Sequence, residues 1–135
     1  MSNGIISLYA APMSLYSGKV RSYLRKQGIA FTEVMPGDIS FRENIIPKTK
    51  RGIVPVVQLQ TGEVIQDSVD IIDHFEQSPH AKFSVYPTTP KQRVAALIID
   101  MFGSEGMLKV AMHYRWNFLE HNEAFIIMEF GDHIV

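Results

Sequence analysis

Apolar and polar residues follow two different spacings along the first 80 residues of this 135-residue chain. Ile5–Tyr9 and Phe31–Met35 are short, largely apolar runs with turn-forming neighbours, and they predict two buried strands. Between them, residues 20–27 place their core-type side chains at the i, i+3, i+4 and i+7 spacing of a helix. We expect this helix to begin near Ser17 and to end at Gly28, which suits a C-cap glycine. Together these elements make a βαβ unit.

The next segment predicts a weak helix, a hairpin and a stronger helix. Phe41–Ile46 fits a short irregular helix that is ended by Pro47. Val56–Leu59 and Glu63–Ile65 fit the strands of a β-hairpin, since the residues between them include Thr-Gly. Asp67–Ser68 fits the start of the next helix. The order βαβ, α, ββα predicts an α/β fold for this half of the chain.

After residue 80 the pattern becomes entirely helical. We expect a domain at 1–79, a linker at 80–89 that contains Pro and small polar residues, and a partial all-α domain at 90–135. Its two helices are predicted from Pro90 to about Met112 and from Glu120 to Phe130. The first helix places Val94, Leu97, Ile98, Met101, Phe102 and Leu108 on one stripe, and the last helix is expected to bury Phe125 and Ile126. The two helices make a hairpin with one apolar face, which we expect to dock on the first domain or on a partner chain.

The charge balance and the absence of Cys exclude several kinds of function. With 13 basic and 14 acidic residues and a formal charge of -1, the chain lacks the positive charge of a nucleic-acid-binding protein. It has no Cys, which excludes disulfide scaffolds, thiolate zinc sites and redox chemistry by thiols of the protein itself.

Targeting and metal-binding patterns are not found either. The first ten residues do not resemble a secretory signal, and the apolar run 94–102 is interrupted by Asp100 and is too short to cross a bilayer. His113 and His121, with Glu120 beside the latter, do not have the spacing of zinc ligands. We therefore expect a cytoplasmic globular protein with no metal and no membrane partner.

Three segments at predicted strand ends combine polar side chains with unpaired backbone groups. Pro12–Arg21 places serines at a helix N-terminus, which favours an anion such as a thiolate or phosphate. Gly52–Val56 places a Val-Pro pair before a strand, and Gln66–Ser68 places Asp and Ser before a helix. Each has a purely structural alternative: a serine N-cap at Ser14 or Ser17, a strand-start proline, and an ordinary Asp-Ser helix cap.

All three segments, taken in this order, resemble a known family. Residues 5–77 are similar to the amino-terminal, thioredoxin-like domain of the cytosolic glutathione transferase superfamily. The resemblance rests on Ser-x-x-Ser-x-Lys-Val-Arg, on Val-Pro before the hairpin, and on Asp-Ser, with Pro55 and Ser68 13 residues apart. The first loop most resembles the Ser-type classes and the zeta-like version, on the basis of Ser14, Ser17, Val20 and Arg21.

This resemblance implies a catalytic hydroxyl. Ser14 would donate a hydrogen bond to the sulfur of glutathione, and Tyr9 is the rival because Tyr-type transferases carry their hydroxyl near that place. Redox relatives of this fold carry Cys in the loop where this chain has Tyr16 and Ser17, so glutaredoxin-like thiol transfer is excluded.

The resemblance also implies a set of glutathione contacts. The backbone of Val54, with Pro55 cis, would pair with the cysteinyl unit, and Asp67 and Ser68 would hold the γ-glutamyl end. A cation at Lys50 or Arg51 would reach the glycyl carboxylate. The glutathione-binding residues expected from the resemblance are Lys50, Val54, Pro55, Gln66, Asp67 and Ser68.

The helical remainder implies a pocket for a second substrate. Met107, Ala111 and Tyr114 would contact a small-molecule electrophile, by analogy with the family. The chain has room for about two helices, whereas the family's helical domain has more. We expect a fragment of a longer protein, and the alternative is a short relative that uses the fold differently. Two hypotheses remain: a glutathione transferase or zeta-like isomerase, and a non-catalytic module for glutathione binding or protein association. We expect a homodimer in either case.

Overall fold

Four short strands form one mixed sheet in the first part of the structure. The computed structural model describes residues 6–130, and its strands are β1 (Ile6–Tyr9), β2 (Phe31–Val34), β3 (Val56–Gln58) and β4 (Val64–Gln66). Their order is β2-β1-β3-β4, with β1 and β2 parallel and the other neighbouring pairs antiparallel. The expected βαβ unit and hairpin are confirmed, and the fold is a thioredoxin-like α/β domain. Ile5, the first residue of the expected first strand, lies outside the described residues.

The described part of the chain also contains six α-helices and two π-helical turns. The helices are α1 (Leu15–Gln27), α2 (Ile46–Thr49), α3 (Ser68–Glu76), α4 (Pro90–Met101), α5 (Leu108–Trp116) and α6 (Leu119–Phe130). The chain divides between Phe83 and Ser84 into two compact units, the first with the sheet and α1–α3, the second with α4–α6. The limits 1–79 and 90–135, expected from the sequence, stay a prediction.

Helix α1 begins earlier than expected because Ser14, not Ser17, is its N-cap. The Ser14 backbone is extended, and its Oγ accepts a hydrogen bond from the Ser17 N–H at 3.2 Å. Ser17 is fully buried instead, and its Oγ accepts from the Ala11 N–H at 3.3 Å. At the other end, Gly28 has φ 68° and donates its N–H to the Arg25 carbonyl, which confirms the glycine C-cap.

Pro47 does not end the helix that precedes it, as the sequence had suggested. A π-helical turn at Phe41–Ile45 continues directly into α2, and Pro47 lies in the first turn of that helix. Proline is accepted there because the first N–H groups of a helix have no partner within it. The Ile46 N–H bonds to the Phe41 carbonyl, five residues back, which is the pattern of a π-helix.

The core of the first unit covers both faces of the sheet. Tyr9 and Val56 are paired across β1 and β3, and on one face they form a buried cluster with Phe41 and Ile45. Because side chains alternate along a strand, the neighbouring pair of Leu8 and Val57 lies on the opposite face. Full burial of a Val or Leu side chain contributes about 1.5–3 kcal/mol. The remaining buried apolar residues of the unit include Val20, Tyr23, Leu24, Ile71, Ile72 and Phe75.

A buried amide fastens the end of the first unit. Gln27, the last residue of α1, is fully buried, and its Oε1 accepts from the Lys82 N–H at 2.9 Å. Its Nε2 donates to the Phe83 carbonyl at 2.8 Å and lies 3.4 Å from the Glu76 carboxylate. Both ends of the amide are therefore satisfied without water, as a buried polar group requires.

In the second unit the expected helices form, but the expected burial does not. The helix predicted from Pro90 to about Met112 is divided into α4 and α5 by a π-helical turn, Phe102–Gly106, which contains two glycines. None of the residues from Ser84 to Met128 is buried within the chain, so the expected burial of Phe125 and Ile126 is not found there, and docking of the apolar face on another surface stays a prediction. Three short helices have too little surface to enclose a core of their own.

None of the helices in the described part of the chain is long and apolar enough to cross a membrane.

An ion pair joins α1 to β2. The guanidinium of Arg21 donates from Nε to Glu33 Oε2 at 2.8 Å and from Nη2 to the other carboxylate oxygen, a two-point contact. The side chains are 16% and 27% exposed, so water screens this pair only in part. The hydrogen bond from Arg21 holds the pKa of Glu33 below its ordinary value, and the carboxylate raises the pKa of Arg21.

We predict that Glu33→Gln lowers the free energy of unfolding by about 1–2 kcal/mol at neutral pH. A carboxyl group with a lowered pKa in the folded state stabilises that state above its ordinary pKa and loses the contribution as the pH falls through the folded value. The difference between wild type and variant should therefore shrink at acidic pH.

Urea denaturation at both pH values measures this difference, and Glu63→Gln, at an exposed carboxylate of the β-hairpin loop, is the control. A deficit in Glu33→Gln that stays constant as the pH falls would show that the ion pair does not supply the stability.

Candidate functional site

One row of paired residues brings the three predicted segments to the same end of the sheet. Tyr9 pairs with Val34 on one side and with Val56 on the other, and Val56 pairs with Gln66. At this end of the sheet the chain therefore leaves β1 after Tyr9, enters β3 at Val56 and leaves β4 after Gln66. The Ser14 loop, the Val-Pro pair and the Asp-Ser pair begin there.

Ser14 caps helix α1 and also keeps a hydroxyl hydrogen that it can donate. Its Oγ uses a lone pair to accept the Ser17 N–H, which leaves the hydroxyl hydrogen available for donation to another group. The side chain is half-buried at the N-terminus of a 13-residue helix that has no acidic residue in its first turn. The positive end of the helix dipole is therefore not compensated locally, so an anion beside Ser14 is favoured.

Tyr9, the rival for the catalytic role, is part of the core. Its side chain is 4% exposed, and its ring lies 5.6 Å from that of Phe41, centroid to centroid. Its hydroxyl donates to Ser40 Oγ at 3.3 Å. This hydrogen bond joins residues 31 positions apart in the sequence, and the choice between Ser14 and Tyr9 stays a prediction.

Arg21 of the same loop motif is committed to the fold. It bonds to Glu33, and its guanidinium also lies 3.5 Å from the Ala11 carbonyl. Ser17 bonds to the N–H of the same Ala11. These two motif residues therefore support the loop that leads to Ser14.

The Val54–Pro55 peptide bond is cis, as the resemblance implied. Pro55 is buried, whereas Val54 is half-buried. Within the described residues, neither the N–H nor the carbonyl of Val54 takes part in a hydrogen bond. A residue of this kind, directly before a strand, offers a donor and an acceptor to a peptide-like ligand.

Asp67 and Ser68 have the geometry of a helix cap and also two unusual features. Asp67 Oδ1 accepts the Val69 N–H at 2.8 Å, which confirms its role as N-cap of α3. Asp67 has φ 85° and ψ 140°, a conformation that disfavours residues other than glycine and costs of the order of 1–3 kcal/mol. Ser68 is only 3% exposed, and its hydroxyl forms no hydrogen bond with any described residue. A buried hydroxyl without a partner indicates a place for a bound polar group.

Gln66 contacts the protein rather than leaving its amide free. Its Nε2 donates to the Ile53 carbonyl at 2.8 Å and lies 3.5 Å from the Arg51 carbonyl. The Arg51 carbonyl also accepts from Thr49 Oγ1 at 2.9 Å. The two contacts of Gln66 join residues 13 and 15 positions apart in the sequence, and no local pattern in the sequence indicated them.

The expected cation Lys50 lies at the end of α2 in the same loop. It is exposed, has φ 59° in the left-handed region, and donates its N–H to the Ile46 carbonyl at 2.8 Å. Arg51 follows it and is also exposed. The structure therefore leaves two cations on the loop that leads to Val54.

The residues expected to contact an electrophile lie together on one helical segment of the second unit. Ala111 donates its N–H to the Met107 carbonyl at 3.0 Å, and Tyr114 follows at the next turn. Met107 is 43% and Tyr114 is 63% exposed. Their role as a pocket stays a prediction.

His113 and His121, in the described part of this unit, each lie close to a polar side chain. His113 Nδ1 lies 2.6 Å from the Asn117 amide, and His121 lies 3.4 Å from the Glu120 carboxylate. Across residues 6–130 no group of three His, Asp or Glu side chains could hold a metal ion.

Comparison with known proteins identifies a family for the first unit. The family model described as glutathione S-transferase, N-terminal domain, matches residues 8–83. No match was found among curated proteins.

Solved structures of the same kind resemble this chain. A glutathione S-transferase from Methylobacterium radiotolerans, in complex with glutathione sulfonate, is 25% identical, with a TM-score of 0.62 over 73% of this chain and 46% of that one. A possible glutathione S-transferase from Rhodopseudomonas palustris is 23% identical, with a TM-score of 0.65 over 90% and 60%. A glutathione transferase family member from Pseudomonas fluorescens, with bound S-(propanoic acid)-glutathione, is 23% identical, with a TM-score of 0.58 over 82% and 51%. The chain thus spans about half the length of these relatives.

Proposed function

This chain belongs to the glutathione S-transferase family, and from that premise we propose that it binds glutathione at the sheet end and activates its thiol. The activated thiol would attack an electrophile or serve an isomerisation. The observation that carries the proposal is the row of Tyr9, Val56 and Gln66, which brings a helix N-terminus, an unpaired backbone segment and an unpaired buried hydroxyl to one place. Relatives crystallised with glutathione or its derivatives support the same ligand.

Ser14 is proposed as the residue that contacts the sulfur. A free thiol titrates near about 8.5, and a hydroxyl donor together with a helix N-terminus lowers that value by roughly one to two units. Much of the thiol is then ionised at neutral pH, and the thiolate is the nucleophile. The chain has no Cys of its own, so the only sulfur nucleophile in this scheme belongs to the ligand.

The rest of glutathione is proposed to follow the unpaired groups of the site. The N–H and carbonyl of Val54 suit the cysteinyl unit, which would add to the sheet end as a short strand. The hydroxyl of Ser68 and the N-terminus of α3 suit the γ-glutamyl carboxylate, while the Asp67 carboxylate faces its ammonium group. Lys50 or Arg51 suits the glycyl carboxylate at the other end of the tripeptide.

The second substrate is proposed to be a small electrophile that contacts Met107, Ala111 and Tyr114. Whether the chain performs transfer or isomerisation depends on that contact. The zeta-like character of the Ser14 loop and a cytoplasmic location belong to the same proposal.

A non-catalytic role is the second candidate, and the exposed apolar side chains of the second unit favour it. Ile98 and Ile99 are 56% and 71% exposed, and Phe102 is 62% exposed. A surface with this many exposed apolar side chains is typical of association with another protein. Glutathione binding without thiolate formation would distinguish this role from catalysis.

We predict that Ser14→Ala raises the pKa of the bound glutathione thiol by roughly half a unit to one unit, part of the way towards the value of the free thiol, because the helix N-terminus still lowers it. The variant loses the hydroxyl donor but keeps the helix N-terminus, so glutathione should still bind. Ser14→Thr keeps both the donor and the cap, and its thiol should titrate as in wild type. Ultraviolet absorbance of the thiolate against pH measures the shift.

Tyr9→Phe is the matched test of the rival, since it removes only the hydroxyl that bonds to Ser40. A lost thiolate signal in Tyr9→Phe, with a normal signal in Ser14→Ala, would transfer the catalytic role to Tyr9. Absence of glutathione binding by the wild type would reject the proposed function as a whole.

We predict that Ser68→Ala weakens glutathione binding by about tenfold while it changes the free energy of unfolding by no more than about 0.5 kcal/mol. The removed hydroxyl has no partner among the described residues, so the fold loses no hydrogen bond with it. Titration calorimetry measures the affinity, and urea denaturation measures the stability.

Ser78→Ala, at the other end of α3, is the matched control. Its hydroxyl donates to the Phe75 carbonyl at 2.8 Å, so this variant should lose stability and keep its affinity. An unchanged affinity in Ser68→Ala would remove Ser68 from the site.

We predict that the chain forms a homodimer, because association covers exposed apolar side chains of the second unit. Sedimentation equilibrium should give twice the mass of 15.3 kDa. Leu97→Lys, at a residue that is 48% exposed, should lower the dimer affinity by at least about tenfold because it places a charge in an apolar contact. A wild-type chain that remains monomeric at high micromolar concentration would contradict the prediction.

A further inference from the structure

Gln66 occupies a particular position between two parts of the proposed site. It is the last residue of β4 and directly precedes Asp67, while its side chain reaches back to the loop before Val54. The carbonyls that it contacts, of Arg51 and Ile53, lie on either side of Gly52. The side-chain amide of Gln66 therefore contacts the residues on both sides of Gly52. Glycine has the greatest backbone freedom of any residue, so these contacts restrict the most flexible point of the loop.

Hydrogen bonds hold this loop at few other points before Val54, whose own side chain packs against the core cluster that contains Tyr9 and Val56. Thr49 fastens it at Arg51, where its Oγ1 donates to the carbonyl and lies 3.4 Å from the N–H. At Ile53, the hydrogen bond from Gln66 is the one attachment found among the described residues. The Ile53 side chain is 56% exposed, so packing contributes little to holding it.

We propose that Gln66 is a positioning residue for glutathione binding, which holds the Ile53 carbonyl so that the backbone groups of Val54 remain oriented for the ligand. The role rests on the proposed function, and it differs from the direct ligand contact that the resemblance implied for Gln66. The Nε2 donor is occupied by the protein itself at 2.8 Å, a good hydrogen-bond distance. A loop that is already ordered loses less conformational entropy when the ligand binds, and this raises the affinity.

The test compares Gln66→Leu and Gln66→Glu with wild type in the full chain. Gln66→Leu removes the donor, so glutathione should bind about five- to tenfold more weakly, which is the effect of one lost hydrogen bond. In the absence of ligand, the backbone amides of residues 52–54 should show lower NMR order parameters than in wild type, because the loop is no longer held at Ile53. Gln60→Leu, at an exposed glutamine in the β-hairpin loop, is the matched control and should change neither quantity.

Gln66→Glu adds a readout that a general loss of stability does not produce. At neutral pH the carboxylate faces two carbonyl oxygens and cannot donate, so affinity should fall at least as far as in Gln66→Leu. As the pH is lowered towards about 5, part of the carboxyl becomes protonated and can donate to the Ile53 carbonyl again. Its affinity relative to wild type at the same pH should then recover, whereas that of Gln66→Leu should not.

Different results would reject the proposed function and the positioning role of Gln66. If wild type does not bind glutathione, the proposed function is rejected, and the role of Gln66 in it is rejected as well. If wild type binds but Gln66→Leu shows wild-type order parameters at residues 52–54, the positioning role alone is overturned. Weaker binding without lower order parameters would assign Gln66 to direct contact with the ligand.

Discussion

The hydrogen-bond register of β3 is the constraint on which the candidate site depends. Val56 pairs with Tyr9 on one side and with Gln66 on the other, and it is fully buried. A slip of one residue would move the chain by about 3.3 Å and would turn every side chain of the strand to the opposite face. It would also bring Pro55, which has no N–H, into the ladder. The packed core therefore determines where Val54, Asp67 and the Ser14 loop begin, although none of these belongs to the core cluster.

Much of this arrangement could be predicted from the sequence because many of its elements depend on near neighbours. Gly28 at the end of α1, Asp67 at the start of α3 and the β-hairpin all follow from local backbone requirements. The choice between Ser14 and Ser17 as N-cap was harder, since both are serines near the helix start. A signal did exist: Ser17 continues the buried stripe of Val20 and Leu24 backwards by one turn, so it belongs inside.

The rest could not be predicted, because it depends on partners distant in the chain. The Tyr9–Ser40 and Gln66–Ile53 hydrogen bonds join residues whose relation appears only after the sheet has formed. In the second unit, periodicity correctly indicated helices but did not indicate which surface covers their apolar face. A helical period reports which side chains share a face, whereas burial needs a second surface against that face. α4 meets the first condition, and its Ile98 and Ile99 are exposed.

The buried amide of Gln27 has a consequence for where this domain can be separated from the rest of the chain. Its hydrogen bonds reach Lys82 and Phe83, beyond the end of α3. A polypeptide that stopped at residue 79 would retain every strand and all three helices of the first unit. It would nevertheless lose the Lys82 N–H and the Phe83 carbonyl as partners of the Gln27 amide, which would keep only the Glu76 carboxylate at 3.4 Å among the described residues, at a cost of about 0.5–1.5 kcal/mol for each lost hydrogen bond. A polypeptide that is to fold as the first unit alone should therefore include Phe83, whose carbonyl accepts from Gln27, although Phe83 lies several residues after the end of α3.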